Sequence, residues 1–180
     1  MSIIEKIGYY LLRRKVSQNK RKLVANNLES ANSVGVIFNA TNESSFLKAS
    51  AFAQSLTARG IKVQCVGYVD NKSQLEFFSG IKDMLFFSRK DHNWWGRPKD
   101  QAVNAFAEKH FDILIDLSLR ESLPVQYIVG LSKAKMKVGK YMEDSYYDMM
   151  IDISKEPTLD NFTKQLGVYL NMFKVNIYAQ

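Results

Sequence analysis

Phe111-Asp-Ile-Leu-Ile-Asp-Leu-Ser118 is the stretch whose reading decides the fold. Ile113, Leu114, Ile115 and Leu117 are nearly continuously apolar, as expected of a strand covered on both faces of a parallel sheet. Asp116 and Ser118 stand at its exit, the edge where open α/β sheets bind ligands, so both are candidate ligand contacts. The chain then predicts a helix with Ser122 as N-cap, Pro124 just inside it, and Val125, Ile128, Val129 and Ser132 as its buried side. Lys133-Ala-Lys-Met-Lys137 places positive charge at the helix end, and Met136, Val138 and Tyr141 form the next strand.

Working towards the N-terminus, the same alternation recurs. Val34-Gly-Val-Ile-Phe38 is the first strand, and Thr41 or Asn42 caps a helix with Phe46, Ala49, Ala53 and Leu56 on one face, stopped by Gly60. Ile61 to Val69 is the second strand, followed by Asp70-Asn71. A short helix through Leu75, Phe77 and Phe78 leads to Gly80, and Met84-Leu-Phe-Phe87 is the third strand. Pro98 opens a helix carrying Val103, Phe106 and Ala107 towards Phe111. Beyond Tyr141, Tyr146 to Ile153 reads as a strand. A final helix starts at Pro157, with Leu159, Phe162, Leu166, Tyr169, Leu170 and Phe173 at helical spacing. These elements predict one α/β domain over residues 31–180, a three-layer, Rossmann-like, mostly parallel sheet of five or six strands.

The loop after the first strand, Asn39-Ala-Thr-Asn42, contains no glycine, so neither G-x-G-x-x-G nor G-x-x-x-x-G-K-[ST] is present and dinucleotide binding is not expected. Without that loop Asp70 reads as a turn former in preference to a ribose contact. Asn39, Asp70, Asp116 and Ser118 are the candidate ligand pocket at the strand exits. Arg89-Lys-Asp-His-Asn-Trp-Trp-Gly-Arg-Pro-Lys99 sets His92, Trp94, Trp95 and Arg97 in one basic, aromatic loop. Either a tryptophan plugs the core, or the pair is a stacking platform for single-stranded nucleic acid, a sugar or a protein. His92 and His110 lack a triad context, Ser118 lacks a nucleophile-elbow glycine frame, and no catalytic residue is assigned. The balance leans away from an enzyme, and no metal or other cofactor is expected.

The net charge of +7 is unevenly placed: residues 1–25 hold seven bases and the acid Glu5, leaving the other 155 residues nearly neutral. Residues 3–25 predict a basic, amphipathic helix with Ile4, Ile7 and Leu11 on one stripe and Gly8 as its weak point. Arg13, Arg14, Lys15, Lys20, Arg21 and Lys22 are its candidate anion contacts, on an N-terminal arm over residues 1–30. Three readings compete: a solvated face packed on the domain, phosphate contact with RNA or a ribosome-like ribonucleoprotein, and a membrane-surface helix. A protein partner is a further option. No apolar run is long enough for a transmembrane helix, and the N-terminus lacks a secretory pattern, so a cytoplasmic setting is expected. The single Cys65, in an apolar strand, reads as a buried structural thiol.

Val34-Gly-Val-Ile-Phe-Asn39, Val66-Gly-Tyr-Val-Asp70, Phe111 to Ser118 and Ser132-Lys-Ala-Lys-Met-Lys-Val-Gly139 together resemble an uncharacterised bacterial domain-of-unknown-function family. That resemblance implies the fold and no activity. Locally, Phe111 to Tyr141 is similar to the N-terminal half of heptosyltransferase-type glycosyltransferases, whose apolar strand also ends in Asp before a helix and a Val-Gly strand. Such enzymes use an acid just after the first strand, where this chain has Asn39-Ala-Thr-Asn42, and a second Rossmann-like half. The resemblance therefore implies a half-enzyme without the chemistry. The leading expectation is a non-enzymatic protein docking its arm on RNA; the alternatives are a ligand site at the strand exits and peripheral membrane attachment.

Overall fold

A computed structural model describes residues 2–70, 78, 81 and 84–172. Its helices are α1 (Ile3–Val16), α2 (Glu43–Ala58), α3 (Gln101–Glu108), α4 (Leu123–Leu131) and α5 (Leu159–Met172). The strands are β1 (Ser33–Asn39), β2 (Lys62–Val69), β3 (Met84–Ser88), β4 (Ile113–Asp116), β5 (Met136–Lys140) and β6 (Met149–Ile151). They form one sheet in the order β3-β2-β1-β4-β5-β6, with every pairing parallel. β1 is central, with Val36 opposite Cys65 of β2 on one side and Ile115 of β4 on the other. Phe111 to Ser118 is buried throughout, as its apolar run predicts.

The pleat sends alternate residues to two cores. Val36, Phe38, Ile113 and Ile115 pack against Ala53 and Leu56 of α2 and Phe162, Leu166 and Leu170 of α5. Ile37 and Leu114 face Val103 and Phe106 of α3 and Val125, Ile128 and Val129 of α4. The helices thus cover both faces, and the winding reverses between β1 and β4. Helix α4 is buried from Leu123 to Gly130, not along one side only, because α1 covers its outer face. Leu12, Leu123 and Tyr127 form that third cluster, with Tyr9, Val16 and Trp95 against it.

Gly8 is the reason α1 lies so close. A Cβ there would stand 2.4 Å from Leu123 Cδ2 and 2.8 Å from the Trp95 carbonyl oxygen, while Tyr127 donates its hydroxyl to the Gly8 carbonyl at 3.3 Å. The residue that weakens the helix in isolation is the one that lets it dock.

Several element limits differ from the sequence expectation. Helix α1 stops at Val16, not at 25, with Ser17 Oγ bonding the Arg14 carbonyl at 2.7 Å and Asn19 Nδ2 reaching the carbonyls of Gly130 and Ser132. Residues 18–27 run as a non-helical strap along the start of β5, where the Val24 amide donates to the Lys135 carbonyl at 3.1 Å. Pro98 opens no helix: it forms a bridge with His92, and Asp100 caps α3 instead, accepting from the Val103 amide at 3.0 Å. Ser122 begins α4 without a side-chain cap. The expected strand at Tyr146 shrinks to Met149–Ile151, because Tyr147 turns inward to Asp116 and Asp148 caps the Lys137 amide at 2.7 Å. Tyr169 is exposed, not core. Of the short helix through Leu75, Phe77 and Phe78, only Phe78 is among the described residues, helical and buried. Asn71, Gly80 and Phe173 also lie outside them.

Candidate functional site at the β1/β4 crevice

Where the winding reverses, the loops after β1 and β4 diverge to opposite faces and leave a crevice at the strand exits, the usual ligand position of such sheets. It encloses about 530 Å³ and is lined by Asn39, Thr41, Asn42, Ser44, Ser45, Lys48, Leu117, Leu119, Arg120 and Pro157 to Leu159. Two helices begin at this crevice. The Asn42 side chain caps α2, accepting from the Ser45 amide at 2.8 Å, and Thr158 Oγ1 accepts from the Asn161 amide at 3.2 Å at the start of α5. Both amino termini therefore bring the positive ends of their dipoles to the same place. Lys48 Nζ is paired with Asp160 at 2.6 Å, on partly exposed side chains. Arg120 is exposed, and its backbone carbonyl is held by Asn39 Nδ2 at 2.9 Å. Asn39 Oδ1 is buried with no hydrogen-bond partner among the described residues. The arrangement offers hydroxyls, amide groups, two dipole ends and a guanidinium: the chemistry of an oxyanion site.

The four candidate pocket residues do not converge. Asn39 lines this crevice, but Asp70 lines a separate cleft with Tyr68, Arg89, His92 and Trp94. Asp116 and Ser118 border a void of about 10 Å³ that Arg120 and Tyr147 also line, barely the room one water needs. Asp116 is fully buried: Tyr147 donates its hydroxyl at 2.6 Å, the Ser118 amide donates at 2.8 Å, and Gln126 Nε2 donates to the Tyr147 oxygen at 3.0 Å. Burial pushes its carboxyl above the usual aspartate range, against those hydrogen bonds. Asp116 is therefore a fold group, removed from any ligand.

The aromatic loop divides its labour. Trp95 packs beside Leu123 and Tyr127, plugging the α1–α4 seam, whereas Trp94 crosses it edge-on at 5.0 Å and stays 61% exposed. His92 Nδ1 bonds the Asn93 carbonyl at 2.9 Å, and Arg97 is exposed. In the strap, Arg21 pairs with Asp148 and donates to the carbonyls of Ala134 and Lys135 at 3.1 Å, its side chain only 15% exposed. Arg13 is paired with Asp144 at 2.8 Å at the surface, and Arg14, Lys20 and Lys22 are exposed. Arg21 is therefore a fold contact, unavailable to a phosphate without breaking the strap. Sequence reasoning missed Lys137, which is 2% exposed inside β5 and donates to the Gly130 carbonyl at 3.1 Å. Burial, then the Arg21 charge, pushes its amine down to about 7. Thr41, Ser44, Ser45 and Arg120 were also missed, since polar side chains in a glycine-free loop carry no motif. Cys65 is buried, which raises its thiol to about 12, and remains a free structural cysteine. Among the described residues no His, Cys, Asp or Glu group is arranged to hold a metal.

The profile of the family of unknown function DUF6913 matches residues 5–173. The chain belongs to that family. No curated protein matches it. Among solved structures, this DUF6913 chain is similar to an exopolyphosphatase-related protein from Bacteroides fragilis, with a TM-score of 0.56 and 15% identity. The match covers 79% of this chain and 41% of that one, so the chain spans less than half of that protein's length. The likeness shows a shared fold, and neither finding links the chain to heptosyltransferases.

Proposed function

We propose that the protein is a non-catalytic binding protein for a phosphate-bearing small ligand seated in the β1/β4 crevice. One observation carries the reading: the amino termini of α2 and α5, the Thr41, Ser44 and Ser45 hydroxyls and the cation Arg120 line one cleft of about 530 Å³. That volume suits a nucleotide or a short polyphosphate. Lys48 supplies a second cation when an anion competes with Asp160 for it. With no glycine after β1, the ligand takes hydrogen bonds mainly from side chains, and Thr41 with Ser44 in the first turn of α2 provides them. The exopolyphosphatase-related protein that shares the fold puts polyphosphate on the panel of probes. We place the protein in the cytoplasm, a reducing setting that suits its lone buried thiol; no helix among the described residues is long and apolar enough to cross a membrane.

RNA docking through the arm is the second reading, and the exposed Arg14, Lys20 and Lys22 favour it. Against it, Arg13 and Arg21 are engaged with Asp144 and Asp148. Thermal-shift and calorimetric titrations with inorganic phosphate, pyrophosphate, short polyphosphate and nucleotides test the crevice. A ligand at about a hundred times its Kd stabilises by roughly 2.7 kcal/mol. Arg120→Ala is expected to cut that shift to roughly half or less while leaving the free protein's melting point in place. A flat response across the panel would sink the proposal.

A further inference from the structure

Helix α1 docks on α4 through Gly8, Leu12 and Val16, and this leaves the opposite face unused. Ile3, Ile7, Tyr10 and Arg14 follow one another at i, i+4, i+7 and i+11 along that outward face. Ile3 is 77% exposed, Ile7 39% and Tyr10 66%, with Ile4 exposed beside them. Trp94 continues the patch, since it and Ile4 line the same cleft. Soluble surfaces rarely collect isoleucines, a tyrosine and a tryptophan on one side of one helix.

The rim of this patch is cationic. Lys6 flanks the apolar face on one side, next to Arg13 in its pair with Asp144, and Lys15 does so on the other, with Arg14 near its middle. Lys15 lies close enough to Arg97 that the guanidinium, after burial, lowers its affinity for a proton, so two cations crowd each other there. The acid of this helix, Glu5, is turned back to cap the Ser2 amide at 2.6 Å. An apolar strip with a basic rim matches one kind of occupant: an interface whose interior is hydrocarbon and whose surface is anionic. A second copy of the chain would bring the same positive rim against itself. RNA would meet isoleucines where it needs cations.

We infer that the outward face of α1, with Trp94, is a docking surface for membranes that carry anionic phospholipid. Ile3, Ile7 and Trp94 enter the headgroup boundary, and Lys6, Arg14 and Lys15 meet lipid phosphates. The body stays in water because the Gly8 seam keeps the helix fastened flat against α4. This surface is separate from the β1/β4 crevice, so the two proposals stand or fall independently.

Flotation of the full chain with vesicles of phosphatidylcholine alone, and of phosphatidylcholine mixed with phosphatidylserine, tests it. Binding is expected only with the anionic vesicles, falling as salt rises, with each rim base adding roughly fivefold. Ile7→Asp and, off the helix, Trp94→Ala should each weaken it at least about tenfold, the factor that burying one such side chain supplies. Arg59→Glu, at the far end of α2, should bind as the parent does, and melting curves confirm that each variant is folded. Failure to float with anionic vesicles overturns the inference, as does undiminished flotation of both patch variants. So does single-stranded RNA binding at the same salt that Ile7→Asp leaves intact, which would assign the bases to nucleic acid. A concentration-dependent dimer that Ile7→Asp splits would overturn it in favour of a second copy.

Discussion

Asp112 and Asp116 stand at the two ends of β4, and the fold treats them in opposite ways. Asp112 accepts from the amides of Asn32 and Ser33 at 2.9 and 3.0 Å, from Ser33 Oγ at 3.2 Å, and from Lys135 Nζ at 2.8 Å. Burial alone would raise its pKa; the Lys135 ammonium and the two amides outweigh burial and hold the carboxyl below its usual range. Asp116 lacks a direct ion-pair partner among the described residues, and burial wins there, raising its pKa. The same residue type thus serves as a charged staple at the strand's start and as a costly buried acceptor at its exit. The difference teaches that a polar residue at a strand exit is not automatically a ligand group, since the groups packed around it decide whether it stays open.

The largest expected effect separates these roles. Asp116→Ala strands the Tyr147 hydroxyl and the Ser118 amide in a dry interior, and should cost about 3 kcal/mol in urea unfolding. A loss under about 1 kcal/mol would show that the network is not a structural one. Tyr147→Phe removes two hydrogen bonds, the one its hydroxyl donates to Asp116 and the one it accepts from Gln126, so about 1–2 kcal/mol is expected.

pH sharpens the comparison. For Asp112 the folded pKa is depressed, so its contribution is present above the unfolded value of about 3.9 and is lost as pH falls through the folded pKa. For Asp116 the folded pKa is raised, so the folded state holds the extra proton, and stability falls as pH rises from about 3.9 through the raised value. Asp112→Asn should therefore cost about 1–2 kcal/mol at neutral pH and almost nothing in strong acid. Asp116→Asn should remove the decline across that window. Urea midpoints collected from pH 2 to pH 7 decide both, and matching profiles for the two variants would contradict the opposite shifts.

Much of this frame was legible in the sequence. The apolar run at Phe111, the caps at Asn42 and Gly60 and the alternation of strand and helix predict a parallel sheet, and the sheet is there. Local patterns could not show what depends on long-range contact. Gly8 reads as a flaw in α1 until Leu123 and Trp95 are seen against it. Arg21 reads as an anion contact and Lys137 as a base at a helix end, yet one joins Asp148 and the other is buried inside a strand. For the site, exit position alone nominated Asn39 and Asp116 together. Both point to the same side of the sheet, Asp116 level with Ile37 and Asn39 two residues further on, but Tyr147 and Gln126 close over Asp116 and only Asn39 reaches the crevice.

The smallest expected stability effect tests that separation most directly. Arg120 follows Asp116 in the loop after β4 and touches its small void, yet it is exposed, lines the open crevice, and contributes its backbone carbonyl to Asn39. Removing its side chain leaves that backbone bond in place and buries nothing unpaired, so Arg120→Ala should change stability by no more than about 0.5 kcal/mol. If the crevice takes a phosphate, the same change removes a charge-assisted contact worth roughly 1.5–3 kcal/mol, about tenfold to a hundredfold in affinity. Asp116→Asn, which keeps its shape beside Tyr147, should leave that affinity nearly unchanged. Titration of pyrophosphate into both variants reads the contrast, and equal losses from both would show that the two sides of the β4 exit act as one site.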